Sequence, residues 1–312
     1  MSMPPGPRLP WSLRFILPAL ALLAAMAALG WWIGHRAAEA EVAARPALWR
    51  VSQGDREAYL FGTIHAVPRG ERWLSPAIVG AVARSDVLIL EVTGLEGERR
   101  SRATFERLGR TPGLPEIGAR LDNDADTGLL ADLERRYPAE LRNLGGYESW
   151  AAALLVNAAV SSGLSLSTEN AGEAVLGHMF GAAGKPVEGL ETIDGQLGLF
   201  DTLSEADQRR LLTQAVREAG DAPRLYRILH DAWASGDLAT LERQFLTPLA
   251  RTPMLRQILV DARNRRWSVL IDQRLRTRPG VPFIAVGTGH LVGAQSVQAR
   301  LAALGWRVER VQ

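Results

Sequence analysis

The fold is decided by two short stretches of similar sequence: residues 58–65 read AYLFGTIH and residues 283–290 read FIAVGTGH. Each begins with a mostly apolar run of the kind found in a buried strand, and each run is followed at once by Gly-Thr-x-His. Such a motif places an imidazole just beyond the end of a strand. The repetition predicts two related halves of one sheet.

Each stretch is expected to open a strand–helix–strand unit. In the first unit, Ser75-Pro76 is typical of a helix start, with a hydroxyl cap and a proline at the first helical position. Residues 87–90 then predict a buried strand that ends at Glu91. In the second unit, a short helix precedes a closing strand at residues 306–311. Both units are predicted to be right-handed parallel crossovers.

The sequence between the two units, roughly residues 100–278, predicts a largely helical region. A short strand at residues 186–190 is expected to interrupt it and join the sheet. The predicted class is therefore α/β, with the helical middle packed over the strand ends. The predicted helices span residues 129–136, 149–160, 173–182, 204–218, 222–234, 238–245 and 254–276.

The N-terminal part of the chain predicts a membrane signal. Residues 15–33 form an uncharged run, closed by Trp31 and Trp32, that is long enough to span a bilayer core. Arg8 and Arg14 precede it, so the N-terminus is expected in the cytoplasm and the body in the periplasm. A signal peptide cleaved near Ala38-Glu39-Ala40 is the alternative.

The protein is expected to be anchored in the inner membrane by a single span or, alternatively, released into the periplasm after cleavage. This interpretation divides the chain into four parts. The expected parts are a cytoplasmic N-terminus at 1–14, a transmembrane anchor or signal at 15–33, a linker at 34–46 and a catalytic or binding domain at 47–312.

The composition excludes several functions. The chain has 312 residues, no cysteine and a formal net charge of +2, and the excess lies within residues 1–45. The body is therefore neutral, which gives no support for a nucleic-acid partner. The lack of cysteine excludes disulfides, thiolate zinc sites and a cysteine nucleophile. No Gly-x-Ser-x-Gly elbow or His-Glu-x-x-His helix occurs.

Three residues are the main candidates for chemistry: His65, Glu91 and His290. The ends of parallel strands meet at one edge of a sheet, so two imidazoles and a carboxylate are expected to lie together there. They could bind a divalent metal ion, of unspecified identity, that activates water or polarises a carbonyl group. Without metal they could act as a general acid and base. Gly62 and Gly287 are expected either to adopt positive φ or to allow close approach.

These motifs resemble those of the TraB/GumN family over about residues 58–311. The resemblance extends to several further blocks that occur in the same order. These are Trp73–Ile78, Leu88–Val92, Gly184–Thr192 with Gln196, Trp233–Leu238, Arg263-Asn264 with Trp267, and Val286–Gly293.

The resemblance implies a relation to TIKI-type membrane metalloproteases and, more distantly, to erythromycin-esterase-like and ChaN-like folds. In that family picture His65, Glu91 and His290 surround a divalent metal or an activated water, and the reaction is hydrolysis, of a peptide bond above all. An association with loci for exopolysaccharide production gives context only.

Several other residues are expected to support the site. Glu191 follows a predicted strand, and Arg263 and Asn264 lie on a predicted helix; each is expected to serve either the site or a structural bridge. The chain departs from the family pattern at Glu173, where the resemblance implies an aspartate. The longer side chain must take over that role, or the role is lost.

The function predicted from the sequence is a membrane-anchored, periplasm-facing, metal-dependent hydrolase acting on a peptide or another small substrate. The alternative is a non-catalytic binding or accessory protein of the cell envelope, in which the same pocket holds a ligand. The sequence does not specify the substrate, the metal or the oligomeric state.

Overall fold

The computed structural model describes residues 44–93, 98–250 and 252–312. The predicted cytoplasmic segment 1–14, the anchor 15–33 and most of the linker 34–46 lie outside the described residues. Within the described residues, no helix has both the length and the apolar character needed to cross a bilayer. Residues 44–312 form one compact unit, in which Ala44 is already buried and the Arg45 N–H donates to the Ala234 carbonyl at 2.6 Å.

A mixed six-stranded sheet forms the centre of this unit, with strand order β6-β4-β7-β2-β1-β8. Its four strands β6, β4, β7 and β2 are mutually parallel, and β1 runs antiparallel to both β2 and β8. A separate two-stranded pair joins β3 and β5. The strands are β1 Leu48–Gln53, β2 Arg56–Thr63, β3 Val67–Pro68, β4 Val87–Thr93, β5 Leu166–Ser167, β6 Val187–Thr192, β7 Pro282–Gly287 and β8 Arg307–Arg310.

The two terminal units lie in one sheet, as predicted, and they interleave. The first unit connects β2 to β4, and β7 inserts between these two strands. The second connects β7 to β8 across β2 and β1. As a result, Thr63 of β2 lies directly beside Gly287 of β7 in register, so the two Gly-Thr-x-His motifs are neighbours.

Strand β1 was not predicted from the sequence. It pairs with β2 through a hairpin in which Gln53 faces Arg56 across the two-residue loop Gly54-Asp55. Gly54 has φ +60°, which fits a turn with glycine at its first central position. The Gly-Asp dipeptide between two strand-like runs was the available signal.

Helices fill the space between the strands, and every predicted helix is present with small shifts at its ends. One predicted helix, 254–276, is interrupted by a π-helical turn at Gln257–Asp261. The helices of the described residues are α1 Pro76–Arg84, α2 Glu98–Leu108, α3 Asp124–Arg136, α4 Ser149–Ser162, α5 Gly172–Ala182, α6 Ile193–Asp201, α7 Glu205–Ala219, α8 Ala222–Ser235, α9 Leu238–Leu249, α10 Pro253–Arg256, α11 Ala262–Thr277 and α12 Val297–Ala303.

The sheet is buried on both faces, which explains why its central strands read as continuous apolar runs. Alternate residues of β2 enter different cores: Phe61 packs on one face and Leu60 on the other. A third cluster, centred on Trp150 and Leu212, holds the helical middle together. Because both faces are covered by apolar side chains, polar chemistry is confined to the ends of the strands.

Candidate active site

The predicted site residues converge at the carboxyl end of the parallel strands. His65 follows β2, Glu91 lies near the end of β4, and His290 follows β7 in a 3₁₀ turn. All three line one cavity of about 430 Å³. The sheet topology therefore brings together the three residues that the sequence singled out.

Glu91 is an ionised, nearly buried carboxylate. Its Oε1 accepts the Gly287 N–H at 2.5 Å, and its Oε2 accepts Arg263 Nη2 at 2.9 Å. Gln196 Nε2 is a longer donor to Oε2 at 3.4 Å. Burial acts to raise the pKa of Glu91, but the charge of His290 where it is protonated, the charge of Arg263 and the Gly287 N–H outweigh it, so the pKa is lowered.

Both motif glycines are explained by close approach, since neither Gly62 nor Gly287 has positive φ. A Cβ on Gly287 would lie 2.9 Å from Glu91 Oε1, in the path of the backbone hydrogen bond. A Cβ on Gly62 would lie 2.7 Å from Oγ1 of Thr288, a residue of the other motif. The glycines thus let the two motifs and the carboxylate pack against one another.

His290 is buried and neutral. Its Nδ1 lies 2.6 Å from Asn264 Oδ1, while Asn264 Nδ2 donates to the Gln295 carbonyl at 2.9 Å. Because the amide nitrogen of Asn264 is used as a donor, its oxygen must accept, and Nδ1 of His290 carries the proton. The lone pair of Nε2 then accepts Arg263 Nη1 at 3.1 Å. Burial lowers the pKa of His290 to about 4.

Arg263 is the central positive charge of the site. Its Nη2 bridges Glu91 Oε2 and Glu191 Oε2, each at 2.9 Å, and its Nη1 donates to His290. Glu191 also accepts Arg266 and, at 3.1 Å, the indole N–H of Trp267. Glu191 and Arg263 are therefore buried partners that position Glu91 and His290. The contacts form a buried bridge, and a role for either residue in the reaction stays a prediction.

His65 differs from His290 because 84% of its side chain is solvent accessible. Its Nδ1 lies 3.3 Å from Glu173 Oε1, which also accepts the Thr63 hydroxyl at 2.6 Å. The hydrogen bond to the Glu173 carboxylate raises the pKa of His65. Glu173 thus reaches the site, and Gly172 beside it lies where a Cβ would come 2.7 Å from Thr63 Cγ2.

The residues present do not fit a metal ion as they are arranged. Within the described part of the chain, no group of three or more histidine, cysteine, aspartate or glutamate side chains is placed to hold one. The Arg263 guanidinium already contacts Glu91 Oε2 and His290 Nε2, two atoms that the predicted metal would need. A cation would have to displace this buried positive charge.

The cavity has a second wall that was not predicted from the sequence. Phe200, Tyr226, Leu229, Phe245 and Val260 line the side opposite the strand ends. Tyr226 donates its hydroxyl to the Ala66 carbonyl at 3.1 Å, next to His65. These residues come from α6, α8, α9 and the π-helical turn before α11 and carry no motif, so only the tertiary structure brings them to the site.

Comparisons with known proteins agree with the motif blocks. A sequence model of the TraB/PrgY/gumN family matches residues 47–310, nearly the whole of the described unit. No curated protein and no solved structure matches the chain. Because the family match covers most of the sequence, the chain belongs to the TraB/PrgY/gumN family.

Proposed function

We propose that the protein is a membrane-anchored, periplasm-facing hydrolase that cleaves an acyl bond. The first bond to test is the peptide bond. The observation that carries this proposal is the pair formed by His65 and Glu173. Glu173 engages Nδ1 of His65 while the rest of the imidazole stands in the solvent-accessible cavity. A carboxylate-oriented imidazole with an open nitrogen is the arrangement expected of a general base.

In this proposal, neutral His65 takes a proton from water as the water oxygen attacks the acyl carbon. The bond to the leaving group then breaks, and His65 returns the proton to the departing nitrogen or oxygen. Glu173 stabilises the transient imidazolium, since hydrogen bonding and opposite charge favour the protonated form. Gln196, which lines the same cavity as His65, supplies a neutral donor for the carbonyl oxygen.

The neighbouring Glu91, Arg263 and His290 side chains affect the proton transfer at His65 through their fixed positions and their charges. Glu91 and Arg263 each influence the His65 pKa electrostatically, in opposite directions. Because each of the three side chains is fixed by neighbours, the field at His65 is preorganised. The proposed proton transfers are carried by His65 and do not involve a metal ion. The divalent metal expected from the sequence stays a separate prediction, and its binding would require Arg263 to move.

The location is part of the same proposal and rests on the sequence. Residues 15–33 would hold the chain in the inner membrane, with Arg8 and Arg14 on the cytoplasmic side. A chain cleaved near Ala38-Glu39-Ala40 would instead be released into the periplasm. Fractionation of cells and the N-terminal sequence of the mature protein distinguish these two outcomes.

The test is turnover of chromogenic peptide amides and esters by the full chain and two histidine variants. We expect His65→Ala to lose at least a hundredfold in kcat/KM, the range in which proton transfer by a positioned side chain contributes. His178→Ala is the matched control, because His178 is an exposed histidine on α5 outside the cavity. Equal activity of the two variants would refute the proposed base.

A second experiment tests whether the protein needs a metal ion and whether it is a non-catalytic binding protein instead. Metal content and activity are measured for the wild type and for His65→Ala/His290→Ala, before and after loading with divalent ions. Equal, negligible metal in both with full activity would remove the metal from the proposal. No turnover of any substrate, together with loss of stability in both single histidine variants, would favour the non-catalytic binding protein.

A further inference from the structure

A second cavity lies in the helical middle and is apolar. It has a volume of about 480 Å³ and lies among α4, α7, α8 and α9. Several of its lining side chains are half-buried hydrophobic residues. They are Leu164, Leu225, Leu229, Pro248 and Leu249, together with the buried Val160.

This groove adjoins the candidate active site. The two cavities share five lining residues, here called the neck: Ser161, Tyr226, Leu229, Phe245 and Leu249. The hydrogen bond from Tyr226 to the Ala66 carbonyl fixes the neck against the loop that carries His65. A ligand that reaches from His65 through the neck therefore enters the apolar groove.

Most polar side chains of the groove are exposed at its rim or already paired, and Gln244 is half-buried. Asn157, Ser161 and Glu218 are exposed, and Gln214 donates to Glu218 at 2.9 Å. Among the described residues, none of the buried side-chain polar atoms without a hydrogen-bond partner belongs to the groove. A peptide threaded through it would leave backbone N–H and C=O groups unpaired, whereas an alkyl chain has none to pair.

We propose that the site takes an amphiphile with a long alkyl chain, whose polar end lies at His65 and whose chain lies in the groove. This inference rests on the proposed hydrolase for its reaction: the substrate is then a long-chain acyl ester or amide. Water adds its oxygen to the acyl carbon and the bond to the leaving alcohol or amine breaks. The leaving group receives the proton held by His65, and the products are a fatty acid and the free head group.

The first measurement is a chain-length series. The full chain is held in lipid nanodiscs and assayed with p-nitrophenyl acetate, hexanoate and dodecanoate, with empty nanodiscs as the background. We expect kcat/KM to rise by up to about fourfold for each methylene group that enters the groove. Equal kcat/KM for all three esters would overturn the inference and leave the hydrolase intact.

The second measurement blocks the groove away from the catalytic residues. Leu225→Trp fills it on α8, and Leu164→Trp fills it from the turn after α4, in case the first variant folds poorly by circular dichroism. Both should lose the preference for dodecanoate at least tenfold while hydrolysing acetate normally. Leu129→Trp is the control, since Leu129 is exposed on α3 and lies outside the groove. The same loss in Leu129→Trp would contradict the assignment.

The third measurement separates the groove from the chemistry. The His65→Ala variant is titrated with 11-(dansylamino)undecanoic acid, with and without Leu225→Trp. If dodecanoate displaces the probe and Leu225→Trp weakens its binding, the alkyl-chain groove is supported. If, in addition, no ester is cleaved, only the proposed hydrolase activity is refuted. Displacement by an acetylated apolar pentapeptide amide but not by dodecanoate would overturn the alkyl-chain assignment.

Discussion

His65 and His290 occupy equivalent motif positions but hold their protons with different strength. Glu173 raises the pKa of His65 above its ordinary value, so the neutral base forms only at higher pH. We expect kcat/KM to rise with pH through that pKa. Glu173→Gln should shift this limb to lower pH, because the amide removes the hydrogen bond to a charged carboxylate. The pH profiles of wild type and variant test this, and coincident limbs would contradict it.

His290 predicts a pH dependence of stability. Its pKa falls from about 6.5 to about 4 on burial, so between these values the unfolded chain binds a proton that the folded chain does not. Stability is therefore lost as pH falls from 7 toward 4, by about 3 kcal/mol from this group. Urea unfolding at several pH values measures it. His290→Gln should show a shallower slope between pH 6.5 and 4, and an unchanged slope would count against the assignment.

At the scale of elements, the start of α1 depends on one hydroxyl. Ser75 Oγ accepts the Ile78 N–H at 3.3 Å, and Pro76 follows at the first helical position. Ser75→Ala should lower the free energy of unfolding by about 1 kcal/mol. Ser101→Ala is the matched control, because the Ser101 hydroxyl is buried without a hydrogen-bond partner and its loss should be neutral or stabilising. Chemical denaturation compares the two, and equal losses would argue against the cap.

The whole molecule is joined at the site by Arg263, which connects α11 to the ends of β4 and β6 and to the turn after β7. Arg263→Met should cost about 3–5 kcal/mol, because it leaves two buried carboxylates without their partner. Arg263→Lys should restore little, since one ammonium group cannot reproduce the several directed hydrogen bonds. Thermal and urea unfolding measure both variants.

An exposed arginine provides the control for this prediction. Arg209 pairs with Glu205 within α7 at 2.8 Å, with both side chains accessible to solvent. Arg209→Met should change stability by less than about 0.5 kcal/mol. Adding Glu191→Gln to Arg263→Met should cost less than the sum of the single variants, because the two residues share one network. Additive losses would show that Glu191 and Arg263 act independently.

Much of the fold could be predicted from local sequence. The apolar runs of β2, β4 and β7 are continuous because the sheet is buried on both faces, so they were recognisable without any partner strand. Most helices of the middle region were predicted from the sequence, but α2 and α6 were not. The hairpin strand β1 and the π-helical turn before α11 were missed, because one depends on pairing with β2 and the other on a local change in hydrogen bonding.

The sequence by itself determined which chemical groups the site contains. A histidine beyond a strand end and a glutamate at the end of the next strand must meet at one sheet edge, so His65, Glu91 and His290 could be placed together. Only the tertiary structure decided how they are connected. Arg263 lies between Glu91 and His290, and Glu173 lies beside His65, because α11 and α5 pack against the strand ends. Charge pairing depends on distances between residues far apart in the chain, and no local pattern encodes those distances.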